Sequence, residues 1–143
     1  MGPITFSDGK YYLFSNFSAH EVEYEGKKYK TSEHCYQCQK FNDKSIINKV
    51  MNTASPYLAR KIAHQYVEDQ KANWGEIKFE VMYKIILAKA EQHEDVRRIL
   101  LESDNEDIAD VTSFDYLWGI GENKKGRNEL GKIWMRVRQV IIK

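Results

Sequence analysis

A helix-rich α+β fold, with a small N-terminal antiparallel sheet and several packed helices, is predicted by three observations. Segments of strand character crowd into the first thirty residues, and helical periodicity takes over from Thr31. No repeat, low-complexity tract or Pro/Gly/Ser linker divides the chain. At 143 residues a single domain spanning 1–143 is expected, since a chain of this size can bury roughly two-thirds of the surface it exposes when unfolded.

The strand segments are ITF, a turn at Ser7-Asp8-Gly9, and KYYLFSNF, followed by a hairpin of HEVEY and KKYK joined at Glu25-Gly26. Thr31 or Ser32 can cap a helix running to about Phe41, and Asp43 can cap a second in which Ile46, Ile47, Val50 and Met51 share a face. Ser55-Pro56 is a cap followed by proline at the first helical position, and that helix is expected to bury Leu58, Ala59, Ile62, Ala63 and Tyr66. A longer helix from about Trp74 to His93 is apolar nearly all round and is the candidate central helix. A short helix at Asp95 to Glu102, a strand at Asp107 to Thr112 and a Gly-rich loop precede the closing helix from about Arg127, with Leu130, Ile133, Trp134, Val137 and Ile141 on one face.

The 22 basic and 21 acidic residues leave a formal charge of +1, so no global field favours nucleic acid or an anionic membrane, and any such contact must be local. No apolar run is long enough for a membrane span, and MGPITFSDGK lacks the apolar region of a signal peptide. With two cysteines, a reduced, cytoplasmic protein is expected.

The densest chemistry lies in YKTSEHCYQCQKF, Tyr29 to Phe41. Cys35 and Cys38 form C-x-x-C beside His34, but His20, His64 and His93 supply no second pair at ligand spacing, and Cys38 lies too deep in the helix for thioredoxin-like chemistry. The cysteines are expected in the core, with no metal. At about 100° per residue His34, Cys35, Cys38 and Phe41 share one side of the helix, and Glu33, Tyr36, Gln37 and Lys40 the other. That polar stripe either faces water, with Glu33 favoured by the helix dipole, or lines a pocket in which Glu33 orients a water or stabilises a sugar cation.

A second candidate is TSFDYLWGIGENKKGRNELGK. Gly119, Gly121 and Gly126 match neither dinucleotide nor P-loop spacing. Even so, Lys124, Lys125, Arg127 and Asn128 beside free backbone N–H groups at a helix start could hold a phosphate, with Asp115 and Trp118 ahead of them. An ordinary solvated loop fits the same residues. Trp74, after Asn73, is either a flat binding face or a staple against the core.

FSNF (Phe14 to Phe17), YEGKKYKTSEHCYQCQKF (Tyr24 to Phe41), NW (Asn73 and Trp74) and DYLWGIG with GRNELGKIWMRVR (Asp115 to Arg138) occur in that order. In these four blocks the chain resembles the NADAR, or YbiA-like, N-glycosidases. The resemblance implies a compact helix-rich α+β fold, no metal or other cofactor, and cleavage of bonds joining ribose C1 to nitrogen. The substrates it implies are phosphoribosylamino-pyrimidine intermediates of riboflavin synthesis or ADP-ribosyl-guanine in nucleic acid. It matches Glu33, Trp74 and Asp115 to activity.

Within that frame Glu33 would orient water or shield the cation, Asp115 would be a partner acid/base or ribose ligand, and Trp74 would stack on the leaving base. Asn16 and Gln37 would meet hydroxyls or the base edge, and the Lys124–Arg127 loop would hold phosphate. Lys40 would serve as a counter-ion to phosphate or Glu33, or as an imine-forming amine. The chain departs from the family pattern at Lys30, where proline is usual, and at Ile120, where an acidic residue is common. The second change bears on substrate identity. A rival expectation is a binding module for ADP-ribose or a nucleotide that performs no cleavage.

Overall fold

The computed structural model describes residues 3–5, 9–111, 115–121 and 123–141, which belong to two compact units: Met1–Ser15 with Ala90–Lys143, and Asn16–Lys89. Six α-helices and four short strands occur among the described residues, so the helix-rich α+β class holds.

After strand β1 (Ile4–Thr5) of the other unit, the unit Asn16–Lys89 opens with the expected hairpin, β2 (Val22–Tyr24) against β3 (Lys27–Tyr29). Its antiparallel register sets Glu23 opposite Lys28, and both turn residues are left-handed, Glu25 at φ 49° and Gly26 at φ 83°. That pair of positive φ values is the turn that suits the right-handed twist of two paired strands. Helix α1 (Ser32–Cys38) follows at once, with Thr31 as N-cap accepting from the His34 amide. Helix α2 (Lys44–Met51) is capped by Asp43, and α3 (Pro56–Gln65) by Ser55 with proline at its start, as the sequence indicates.

Helices α1, α2 and α3 pack on one another, and α1 also packs on both hairpin strands. Every residue of α1 is therefore buried. Cys35 and Cys38 are core residues, and burial pushes both thiols up, Cys38 to about 12. Neither is poised as a thiolate nucleophile. Lys30 donates to the Thr53 carbonyl at 2.8 Å.

Helix α4 (Trp74–Gln92) buries Met82, Ile85, Ile86 and Lys89. Lys89 is fully buried, and its ammonium donates to Ser18 Oγ at 2.8 Å, which is in turn 2.8 Å from His20 Nδ1. In α3 the expectation fails at Leu58, which is exposed, whereas Ala59 and Ala63 are buried. Leucine stands one position off the packed stripe, and small alanines allow close helix contact there.

The other unit holds β1 (Ile4–Thr5), β4 (Ile108–Ala109), α5 (Glu94–Glu102) and α6 (Glu129–Ile141). Two expectations are corrected here. KYYLFSNF, Lys10 to Phe17, expected as a strand, is not one: Gly9–Phe14 is a 3-10 helix in which Phe14 alone is buried. The pairing of β1 with β4 is parallel, in register Ile4 with Ile108, and joins segments distant in sequence. Phe6, Ser7, Asp8 and Thr112, parts of the expected first strand, turn and late strand, lie outside the described residues.

Trp134 of α6 is fully buried, 4.7 Å from the Phe14 ring, and donates to the Phe14 carbonyl at 2.9 Å. Arg138 reaches Ser103 Oγ at 2.8 Å and the Glu106 carbonyl at 2.9 Å, closing the end of α5. At Gly131 a Cβ would strike the Ile108 carbonyl, so glycine is what lets α6 lie directly against β4.

His34 supplies a measurable consequence. Its Nδ1 lies 2.8 Å from Thr31 Oγ1, and its Nε2 lies 3.0 Å from Thr53 Oγ1 and 3.1 Å from the Thr53 carbonyl. Burial lowers its pKa from 6.5, with the Thr53 bond opposing and Lys30 adding to the shift. The unfolded chain therefore binds the extra proton first, and stability falls as pH drops below about 6.5 toward the lowered folded value. The advantage of wild type over His34→Gln in urea unfolding is expected to shrink from about pH 7.5 to about pH 5.5, with a slope of at most about 1.4 kcal/mol per pH unit. A difference independent of pH would contradict a ring buried in its neutral form.

Candidate active site

The polar stripe of α1 does not face water. Glu33 is 7% exposed, Tyr36 5% and Gln37 3%, which excludes a solvated face and leaves a buried constellation within Asn16–Lys89. A buried carboxylate persists only with hydrogen bonds and compensating charge, and several groups supply them. Gln37, one turn on, donates its amide to Glu33 Oε2 at 2.6 Å. Lys40 follows on the same stripe. The Glu33 backbone amide donates to the Asn16 carbonyl at 3.1 Å, and Ser32 Oγ donates to Asn16 Oδ1 at 2.8 Å. Asn16, expected to touch substrate, thus has its side-chain oxygen engaged in fixing the start of α1.

Donation to a carboxylate requires the NH2 end of the Gln37 amide, so Oε1 is its other end. That oxygen is buried and has no hydrogen-bond partner among the described residues. An acceptor left in this state is costly unless a ligand or water donor meets it.

Tyr36 and Trp74 form an aromatic wall, their ring centroids 5.3 Å apart and tilted by 55°. Trp74 is held at the head of α4 by donation to the Lys71 carbonyl at 3.0 Å, and Lys71 itself donates to the Lys40 carbonyl at 2.7 Å. The Lys40 ammonium lies 5.5 Å from the Tyr36 centroid, a cation-π contact. Burial lowers the pKa of Lys40, Glu33 opposes that shift, and the positive charges of Lys78 and Arg60 reinforce it. Asn16, Glu33, Tyr36, Gln37, Lys40 and Trp74 are therefore gathered in one unit.

Asp115, Trp118 and the Gly-rich loop belong to the other unit. Asp115 Oδ1 accepts from the Leu117 amide at 3.0 Å and the Trp118 amide at 2.8 Å, folding the loop's entry. Many of the amides expected to be free are occupied. Ile120 donates to the Asp110 carbonyl, Gly126 to Ile120, Arg127 to Tyr116 and Asn128 to Gly119, while the first amides of α6, Glu129 and Leu130, donate to Leu117 and Trp118. The loop's own carbonyls thus satisfy the helix start, where the sequence suggested a vacant phosphate cradle.

Asn128, left-handed at φ 53°, bridges β4 by donating to the Ile108 carbonyl and accepting from the Asp110 amide, both at 2.9 Å. Arg127 pairs with Glu129 at 2.8 Å, and Lys124 and Lys125 are exposed. Gly121 has φ 71° and lies against the Tyr116 ring, which a Cβ would strike; Gly119 is buried.

Arg60 and Lys78 were not foreseen. Lys78 stands one turn beyond Trp74 on α4, a spacing legible in the sequence. Arg60 on α3 lies 5.0 Å from the centroid of Phe17, next to Asn16, and only the folded chain reveals that.

A family model for the NADAR domain matches residues 5–142. The chain belongs to the NADAR family. This NADAR chain is 36% identical over 128 residues to the N-glycosidase YbiA of Escherichia coli K12, covering 90% of itself and 80% of that protein. It is 35% identical over 134 residues to an N-glycosidase of Nostoc punctiforme, covering 92% and 86%. A riboflavin biosynthesis protein of Vibrio vulnificus is 32% identical over 134 residues, which make up 94% of this chain and 36% of that protein. The NMR structure of E. coli YbiA superposes with a TM-score of 0.88 at 33% identity, covering 99% of this chain and 87% of that one.

In this NADAR chain the double acceptor at Asp115 can be tested directly. Asp115→Ala is expected to lower unfolding stability by about 1 kcal/mol, the usual cost of a lost cap, and Asp115→Asn by less than about 0.5 kcal/mol because its carbonyl oxygen can still accept. Equal losses in thermal or urea unfolding would contradict the loop-holding role.

Proposed function

We propose that this chain is an N-glycosidase that hydrolyses the bond between ribose C1 and an exocyclic nitrogen in phosphoribosylamino-pyrimidines or related ADP-ribosyl compounds. The observation that carries the reading is the buried Glu33 carboxylate, fixed by Gln37 and set beside an aromatic wall and an ammonium. The names of the N-glycosidase and riboflavin-biosynthesis relatives support the reaction and the substrate class.

Cleavage of such a bond builds positive charge on C1 and the ring oxygen as the nitrogen departs, so a fixed anion and an oriented water are what the site must offer. Glu33 would accept the proton of the attacking water as its oxygen bonds to C1. The C1–N bond breaks, its electron pair goes to the nitrogen, and the proton held by Glu33 passes to the departing amine, restoring the carboxylate. Tyr36 and Trp74 would form the wall against which the departing base lies, excluding bulk water.

A second route is favoured by the desolvation of Lys40. A lysine with lowered pKa has more neutral amine available to form an imine with a ring-opened ribose aldehyde, releasing water. Borohydride added during turnover is expected to attach sugar mass to Lys40. A trapped enzyme with no mass added there removes this route.

Purified protein given a phosphoribosylamino-pyrimidine, ADP-ribosyl-guanosine and an ADP-ribosylated oligonucleotide side by side should release free sugar phosphate from the first fastest, scored by mass spectrometry. Binding of all three without cleavage would instead identify a recognition module. Glu33→Gln keeps the shape of the side chain and is expected to reduce turnover by about 10²–10⁴-fold, the range for loss of a general base. Wild-type turnover in that variant would remove Glu33 from the mechanism.

A further inference from the structure

Resting on the N-glycosidase reading, we infer that Gln37 determines specificity for the sugar: its side-chain oxygen accepts from the ribose 2-hydroxyl, so that ribosyl bonds are favoured over 2-deoxyribosyl ones. Gln37 is 3% exposed, and its Nε2 donates to Glu33 Oε2 at 2.6 Å. The other end of the same amide, Oε1, is buried with no hydrogen-bond partner among the described residues.

Other buried polar side chains of this unit are engaged. Asn16 accepts from Ser32 Oγ at Oδ1 and directs Nδ2 at the Met82 sulfur, 3.6 Å away. The His34 ring has Thr31 at one nitrogen and Thr53 at the other. Native proteins seldom leave a buried acceptor empty, because its lost hydration is then not offset by any bond.

An amide oxygen carries lone pairs and no proton, so the group that completes it has to be a donor. Near C1 a ribosyl substrate offers two kinds, the N–H of the leaving nitrogen and the hydroxyls of the sugar. The nitrogen needs to gain a proton as it departs, which an acceptor cannot give. A hydroxyl keeps its proton throughout. Because Oε1 belongs to the amide that touches Glu33, a donor meeting it lies about one amide group away from the carboxylate. With Glu33 directed at C1, the hydroxyl at that range is the one on the adjacent carbon, C2. Hydrogen bonds to a 2-hydroxyl that strengthen as the sugar becomes cationic contribute to glycoside cleavage in general.

An amide that accepts at its oxygen donates more strongly through its nitrogen. The 2-hydroxyl therefore tightens the bond that holds Glu33, and a sugar without it loses both interactions. Phosphoribosyl and ADP-ribosyl compounds carry this hydroxyl. Deoxyribonucleosides lack it and are disfavoured.

The test compares ribosyl, 2-deoxyribosyl and 3-deoxyribosyl forms of a phosphoribosylamino-pyrimidine in wild type and Gln37→Met. The quantity read is the ribosyl-to-deoxyribosyl ratio of kcat/KM in each protein, so that the intrinsic lability of each bond divides out between them. The 2-deoxy ratio of wild type is expected to exceed that of Gln37→Met by about 10–100-fold, the range for a buried acceptor left unpaired. The 3-deoxy ratio is expected to be the same in both. If Gln37 does no more than fix Glu33, the substitution slows all three substrates by one factor and both ratios stay equal, which overturns the proposal. A change confined to the 3-deoxy ratio overturns it as well.

Where turnover of the variant is below detection, binding decides. Calorimetric titration should show wild type binding ribose 5-phosphate about tenfold more tightly than 2-deoxyribose 5-phosphate, with the preference lost in Gln37→Met. Circular dichroism checks the fold, and Gln37→Asn, which draws the oxygen back by one methylene, takes the place of a methionine variant that does not fold. Equal binding of the two sugars by wild type, or a preference that survives the substitution, then overturns the proposal. The catalytic reading fails separately: cleavage with unchanged ratios keeps the glycosidase and removes this role of Gln37, whereas a Gln37-dependent ribose preference without C1–N cleavage does the reverse.

Discussion

The hydrogen bond from Gln37 to Glu33 is the constraint on which the candidate site depends. A carboxylate enclosed among the helices of Asn16–Lys89 would ordinarily be expelled to water or neutralised. Here it lies in the first turn of a helix only seven residues long, where the dipole favours an anion, and a 2.6 Å bond from the next turn holds its orientation. Asn16 fixes the chain entering that turn, and the Lys40 ammonium adds opposing charge. In the proposed reaction an anion fixed in advance would need no reorganisation as positive charge develops on the sugar.

Burial of all of α1 also explains how one short helix can carry both a packed side and the candidate site. His34, Cys35 and Cys38 supply the apolar or internally bonded side, and Thr53 satisfies the His34 ring so that it can lie in the core. The opposite side meets Trp74 from the head of α4. Neither side of the helix is left to solvent, and the polar residues of the stripe have to find partners within the protein.

Much of this was legible from residue order. Thr31, Asp43 and Ser55-Pro56 act as the caps their chemistry suggests, and Glu25-Gly26 makes the hairpin turn, because caps and turns are local. The stripe of Glu33, Tyr36, Gln37 and Lys40 follows from helical spacing, but whether it faced water depended on α3 and α4, far along the chain. The expected strand from Lys10 failed as well, where an aromatic-rich run forms a 3-10 helix, and the parallel pairing of Ile4 with Ile108 is a non-local contact that sequence order does not reveal. Arg60 gave no sequence signal, since its place over Phe17 exists only after α3 has packed. In the Gly-rich loop, composition suggested vacant amides, and only the traced hydrogen bonds reveal that the loop closes on itself.

The most direct measurement is a double-mutant cycle in urea unfolding for Glu33→Ala and Gln37→Ala. A buried bond between an amide and a charged carboxylate predicts a coupling of about 1.5–3 kcal/mol. Additive effects, within about 0.5 kcal/mol, would mean that Gln37 does not fix the Glu33 carboxylate and would contradict the account.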